Sequence, residues 1–148
     1  MGHYASGVTV VASLDEAGEP AGLTCQSFHS LSSDPALVLV CIGRFSRSWH
    51  RIEPTGRFAV SILSDEQQDA CLALASARSD KFADVAWDRS AVGTVHIAGA
   101  LATVDCDIEA VYPAGDHLIV VGRVVQMTAA GGGSPLLFFR SAFRRISA

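Results

Sequence analysis

Short apolar runs of strand length, rich in valine and isoleucine and divided by turn residues, recur from one end of this chain to the other. GVTVVASL (7–14), ALVLVCI (36–42), FAVSIL (58–63) and HLIVVGRVVQM (117–127) are short, and their valines and isoleucines favour a pleated surface over a helix. The connections between them do not alternate strand with helix, which disfavours a parallel α/β sheet. The pattern predicts a mainly antiparallel β-barrel or sandwich carrying a few short helices.

Residues 15–20 (DEAGEP) form a turn, so the run from Ala21 returns antiparallel as a hairpin. SRSWHRIEPTG reads as a short helix with Ser46 as N-cap, Trp49 and Ile52 three apart, and Pro54 with Gly56 as the stop. A second helix is predicted over 65–77, capped by Ser64 or Asp65. Residues 78–93 read as a loop or short helical turns around Phe82, Val85 and Trp87. The strand-like VHIAGALATVDCDIEAVYP follows, with Gly99 marking a turn or bulge and Asp105, Asp107 and Glu109 alternating with Cys106, Ile108 and Ala110 as on a half-wet strand. Gly-Gly-Gly-Ser-Pro at 131–135 sets off a final segment, LLFFRSAF.

With 148 residues the chain fits one domain, 1–148, able to bury roughly two-thirds of its unfolded surface. A composition 49% hydrophobic and 18% charged leaves more apolar surface than one small core absorbs, which implies a subunit interface. The net charge of −4 gives no field to attract nucleic acid or an anionic membrane. Cys25, Cys41, Cys71 and Cys106 are widely spaced with no C-x-x-C, the usage of reduced thiols in a cytoplasmic protein. The five histidines show no i, i+4 pair or cysteine neighbour, so no metal site is expected. No apolar run reaches about 18 residues and no secretory leader is evident, and Met1-Gly2-His3 reads as an appended start. G-x-G-x-x-G, P-loop and G-x-S-x-G motifs are all absent.

Five constellations carry possible chemistry. GLTCQSFHSLSSDP (22–35) holds the hydroxyls of Thr24, Ser27, Ser30, Ser32 and Ser33, which either make local turns or hold phosphate or ribityl oxygens. In GRFSRSW, Ser46 and Ser48 flank Arg47, either a cap with a solvated arginine or a phosphate contact. Lys81-Phe82 is either a solvated lysine beside a core phenylalanine or a cation for an anionic group beside a ring that covers another ring. His117 opens a strand after a Gly-Asp turn, as a surface residue or a ligand contact. In the tail, FFRSAFRR, Arg140 and Phe143 gain interest only as companions of the others.

Taken in order, these blocks resemble the flavin reductase domain family: GVTVV, GLTCQSFHSLSSDP, LVLVC with its Arg/Ser loop, GRFAVSIL, DKF, GDH at a strand start, and LLFFRSAFR. The resemblance spans about Tyr4 to Arg145. It implies a split β-barrel, antiparallel and Greek-key-like, forming a homodimer with FMN or FAD near the subunit interface. By the family's pattern Thr24, Cys25, Gln26 and Ser27 run beside the isoalloxazine and ribityl chain, and Ser30, Ser46, Arg47 and Ser48 face the phosphate. Lys81 and Phe82 add a charge and a cover, His117 lies near the nicotinamide as the catalytic candidate, and Arg140 with Phe143 closes the site. Members usually carry a helix before the GVTVV strand, whereas MGHYAS precedes it here, so the dimer or site edge is expected to differ there.

The implied activity is hydride transfer from NADH or NADPH to the flavin, whose chemistry the cofactor carries while the protein supplies stacking, distance and electrostatics. Reduced flavin would then serve a partner monooxygenase. The rival readings are a non-catalytic flavin- or haem-binding split barrel acting as electron carrier or sensor, and a flavin-dependent oxidase or oxygenase.

Overall fold

A computed structural model describes residues 1–147. Its strands are β1 (Ser6–Gly7), β2 (Thr9–Leu14), β3 (Pro20–Cys25), β4 (His29–Ser33), β5 (Ala36–Gly43), β6 (Arg57–Ile62), β7 (Trp87–Arg89), β8 (Val95–Ile97), β9 (Ala102–Ala114), β10 (His117–Ala129), β11 (Leu137–Phe139) and β12 (Ala142–Arg144). Two helices, α1 (Arg47–Ile52) and α2 (Gln68–Ala75), interrupt them.

The main sheet runs β3-β2-β6-β9-β10-β5-β4, every pairing antiparallel, and β5 lies beside β10 rather than only its chain neighbour, the long connection of a Greek key. It curls round a core in which Val11, Val40, Ile42, Phe58, Val60, Val104 and Val120 meet from five strands. Trp49 and Ile52 of α1 plug this core, both fully buried, each burial being worth about 1.5–3 kcal/mol for a large apolar side chain. Between β3 and β5 no ladder forms among the described residues, and a side chain spans the gap instead. Ser27 Oγ donates to Cys41 O at 3.0 Å and accepts from Cys41 N at 2.9 Å, so the barrel is split yet tied.

Alternation and double burial explain the strand patterns. β5 turns Val38, Val40 and Ile42 inward and leaves Leu37, Leu39 and Cys41 half-buried outside. β2 is buried throughout because Val11 faces the barrel while Val10, Ala12 and Leu14 face a second cluster with Leu63, Cys71, Leu74, Val85 and Leu136. The 15–20 turn is built by Asp15, whose Oδ1 accepts from Ala17 N and Glu19 N. Ser46 caps α1, accepting from Trp49 N at 3.2 Å, and Gly56 at φ 75° ends the following 3-10 turn.

Several expectations need correction. Helix α2 starts at Gln68 rather than 65, because Asp65 N donates to Ser134 O and Ser64 bridges Pro135, which holds 64–65 extended. Neither Ser64 nor Asp65 caps it; Gln67 Oε1 accepts from Ser64 N at 2.9 Å. Within 78–93, Trp87–Arg89 is a strand paired with Val95–Ile97. The serine-rich 29–33 is not a turn but the exposed edge strand β4. At the start of the chain, Gly2 O accepts from Arg140 N and His3 lies edge-on to Phe139, so this segment packs on the β11–β12 hairpin.

Candidate functional site

A cleft of ≈ 780 Å³ opens between the start of β3, the start of α1 and the segment after α2. It collects Ser46, Arg47, Ser48, Lys81 and Phe82, residues of two separate sequence blocks. At its inner end Lys81 Nζ reaches Leu74 O at 3.1 Å, Ser48 Oγ at 3.2 Å and Gly22 O at 3.4 Å. Three neutral oxygens and no carboxylate therefore surround this half-buried ammonium, and burial pushes its pKa below the ordinary lysine value. Arg47 likewise has no carboxylate partner among the described residues. Phe82 lies over Gly22, where an added Cβ would stand 2.8 Å from its ring, and meets Trp87 edge-on at 6.3 Å. Glycine is required there for the ring to approach the strand.

The geometry suits an anion attached to a flat ring: two uncompensated cations, a buried serine hydroxyl and an aromatic wall. Two further cations border the cleft. Arg51 is pinned by Asp15, with Nη2 to Oδ2 at 2.6 Å, and Arg78 makes a two-point pair with Asp80 at 2.9 and 2.8 Å. Sequence reasoning missed both. Arg51 stands one helical turn beyond Arg47 and could have been found by that spacing, whereas nothing local marks Arg78.

The remaining expected residues do not line this cleft. Thr24 Oγ1 donates to Cys71 O at 2.8 Å, and Ser27 ties the barrel seam. Gln26 Oε1 accepts from Ser6 Oγ at 3.1 Å, and Ser30 is exposed on β4. Cys25 is buried with its Sγ 3.2 Å from Ser27 Oγ, and burial raises its pKa above the ordinary thiol value. His117 opens β10 opposite Gly43, its Nδ1 2.7 Å from Asp116 Oδ1, a hydrogen bond that lowers the Asp116 pKa. Arg140 has a positive φ of 52° in the β11–β12 turn with its guanidinium 5.9 Å from the Phe139 ring, and Phe143 meets Phe138 edge-on at 5.3 Å.

A split barrel with a cationic, aromatic-walled cleft has the shape and charge suited to a phosphorylated ring compound. Residues 1–147 match the family described as the flavin reductase like domain, and the chain belongs to that family. It is 41% identical over 146 residues to the reductase subunit HsaB of a flavin-dependent monooxygenase from Rhodococcus jostii, covering 99% of this chain and 74% of that one. It is 39% identical to a flavin reductase of Pseudomonas putida, covering 97% and 84%. Among solved structures, nitrilotriacetate monooxygenase component B from Mycobacterium thermoresistibile superposes with a TM-score of 0.94 at 41% identity, covering 99% and 82%. The NADH:FAD oxidoreductase SgcE6 of Streptomyces globisporus, solved with NAD and FAD fragments, gives 0.93 at 37%, covering 99% and 88%. No helix among the described residues is long and apolar enough to cross a membrane.

Proposed function

We propose that this chain is the reductase of a two-component flavin monooxygenase, oxidising NADH or NADPH and releasing reduced FMN or FAD for a partner oxygenase. The observation that carries the reading is the inner end of the cleft: a half-buried Lys81 facing only neutral oxygens among the described residues, in a chain that belongs over 1–147 to the flavin reductase like family. A flavin phosphate supplies the counter-charge that Lys81 and Arg47 lack. A flavin held there by these residues would supply the hydride acceptor for the nicotinamide.

The chain's own residues bind and orient. Lys81, Arg47 and the Ser46 and Ser48 hydroxyls hold the phosphate, while Phe82 excludes water. Thr24, Cys25, Gln26 and Ser27 flank the ring and ribityl chain. Because the Thr24 and Ser27 hydroxyls are already bonded to backbone, they contribute a rigid wall more than free donors. His117 positions the nicotinamide.

His117, Arg140 and Phe143 do not line the cleft of their own chain, and Leu31, Phe45, Tyr112, Val125 and Met127 are exposed. These observations support a homodimer of one 1–148 domain per subunit, in which a second copy completes the site and Ser30 borders it, and the free thiols fit a cytoplasmic protein. A solution mass of one 15.5 kDa chain would remove the dimer from the reading.

The activity is tested by following NADH and NADPH oxidation by the purified protein with and without added FMN or FAD. Turnover that saturates with flavin is the expected result. Flavin binding without nicotinamide oxidation would instead make the chain an electron carrier or sensor.

A further inference from the structure

The cleft is longer than the phosphate end of FMN needs, and its outer part has a different chemistry from its inner part. Strand β3 serves as a ruler, rising about 3.3 Å per residue. Lys81 Nζ touches the strand at Gly22 O, and Arg51 Nη2 touches it at Pro20 O, each at 3.4 Å. The two contacts are therefore about 7 Å apart along the strand. Residues proposed to flank the flavin ring, Thr24–Ser27, lie on the opposite side of Gly22 from Pro20. A flavin whose phosphate sits at Lys81 thus points its phosphate end toward Pro20, Arg51 and Arg78. FMN stops at that phosphate; FAD continues through a second phosphate to an adenosine.

The charge pattern changes along the same line. Lys81 and Arg47 are free of carboxylates among the described residues, whereas Arg51 and Arg78 are held edge-on by Asp15 and Asp80. A guanidinium whose edge is bonded to a carboxylate is largely neutralised but keeps its flat faces for stacking on an aromatic base. Pro20, Ala21 and Ala77 add apolar wall between them. Free charge inside and planar, compensated arginines outside match a pyrophosphate followed by a purine.

We infer that the outer part of the cleft, bordered by Pro20, Arg51 and Arg78, binds the adenylate half of FAD and makes the protein select FAD over FMN. This rests on the flavin site proposed above. The same adenylate chemistry is offered by NADH, so the test separates the two sources.

Dissociation constants for FAD, FMN and NAD⁺ are measured by flavin fluorescence and calorimetry on the wild type, on Arg78→Ala and on Arg51→Ala/Arg78→Ala. Arg51 and Arg78 are solvent-exposed in part, and circular dichroism verifies that the variants fold. FAD is expected to bind about tenfold more tightly than FMN in the wild type. Arg78→Ala should erase most of that difference, with the FMN constant unchanged within about twofold. Equal FAD and FMN constants in the wild type, or equal losses for both in the variants, overturn the selectivity and leave the flavin site standing. A loss confined to NAD⁺ overturns it in favour of the nicotinamide nucleotide's adenylate. Failure to bind either flavin overturns this inference and the flavin site together.

Discussion

Hydroxyls and thiols in this chain divide into those used by the fold and those left for chemistry, and sequence reveals only the residue type. In 22–35, Thr24 and Ser27 bond backbone carbonyls of Cys71 and Cys41, partners 47 and 14 residues away, which no local pattern could announce. The thiols divide likewise. Cys25 and Cys71 are buried and shifted upward by burial, and Cys106 is pushed up to about 12 by burial and then by the flanking Asp105 and Asp107, while Cys41 alone of the four is not buried. Thiolate is the reactive form, so alkylation of the native protein at neutral pH should modify one cysteine rapidly, at Cys41, with three more released only by denaturant. Rapid labelling of Cys25 would contradict the placement. For Lys81 the sign also follows from burial. Its folded pKa lies below 10.5, so between the two values the unfolded chain binds more protons and this group's contribution to stability rises with pH. Phosphate binding changes in the opposite direction, because it needs the ammonium. FMN affinity should therefore fall with rising pH before ordinary lysine titrates, and Lys81→Arg should flatten that fall; an identical profile in both would remove Lys81 from the phosphate site.

Elements that carry long apolar runs were legible: β2, β5, β6 and β10 fall where valine and isoleucine alternate or cluster, and α1 starts at its serine cap. The misread elements are those held from a distance. β7 is three residues, too short to show a period, whereas β8 falls inside the stretch read as strand-like, and the β7–β8 hairpin is fastened by a buried carboxylate on another strand. Asp105 of β9 is 1% exposed and bonds both the Thr94 hydroxyl and, at 3.0 Å, His96 Nε2, while Ser90 Oγ lies 2.7 Å from Thr94 Oγ1. Sequence placed Asp105 with Asp107 and Glu109 on a wet face. The β7–β8 hairpin, through Thr94 and His96, covers and buries the first of the three. The hairpin in turn carries Trp87, which backs Phe82 in the cleft. Asp105→Ala strands Thr94 and His96 and should cost about 3–5 kcal/mol in urea unfolding, whereas Asp107→Ala, from an exposed 3.6 Å pair with Arg57, should cost about 0–1 kcal/mol. Equal losses would mean that the network does not hold the hairpin.

At the scale of the molecule, the fold and the functional class were both legible, the first from strand-length apolar runs and the second from separated blocks in a familiar order. What sequence could not give was the grouping: Lys81 joins Ser48 across 33 residues, while Arg140 bonds Gly2 near the start of the chain and Phe143 packs on the cluster with Cys71 and Leu74, neither at the cleft. An antiparallel barrel brings distant segments together by register, and register depends on the whole sheet. The split seam leaves room for the cleft beside α1, where the barrel is closed by a helix and a serine instead of a ladder. We propose that cleft as the flavin site of a reductase. Its most direct test is the flavin dependence of NADH oxidation in Lys81→Met beside the wild type. We expect the flavin KM to rise about tenfold or more, the loss of one charge-assisted contact at about 1.5–3 kcal/mol, with kcat largely kept. An unchanged flavin KM in a folded, active Lys81→Met protein would place the flavin elsewhere.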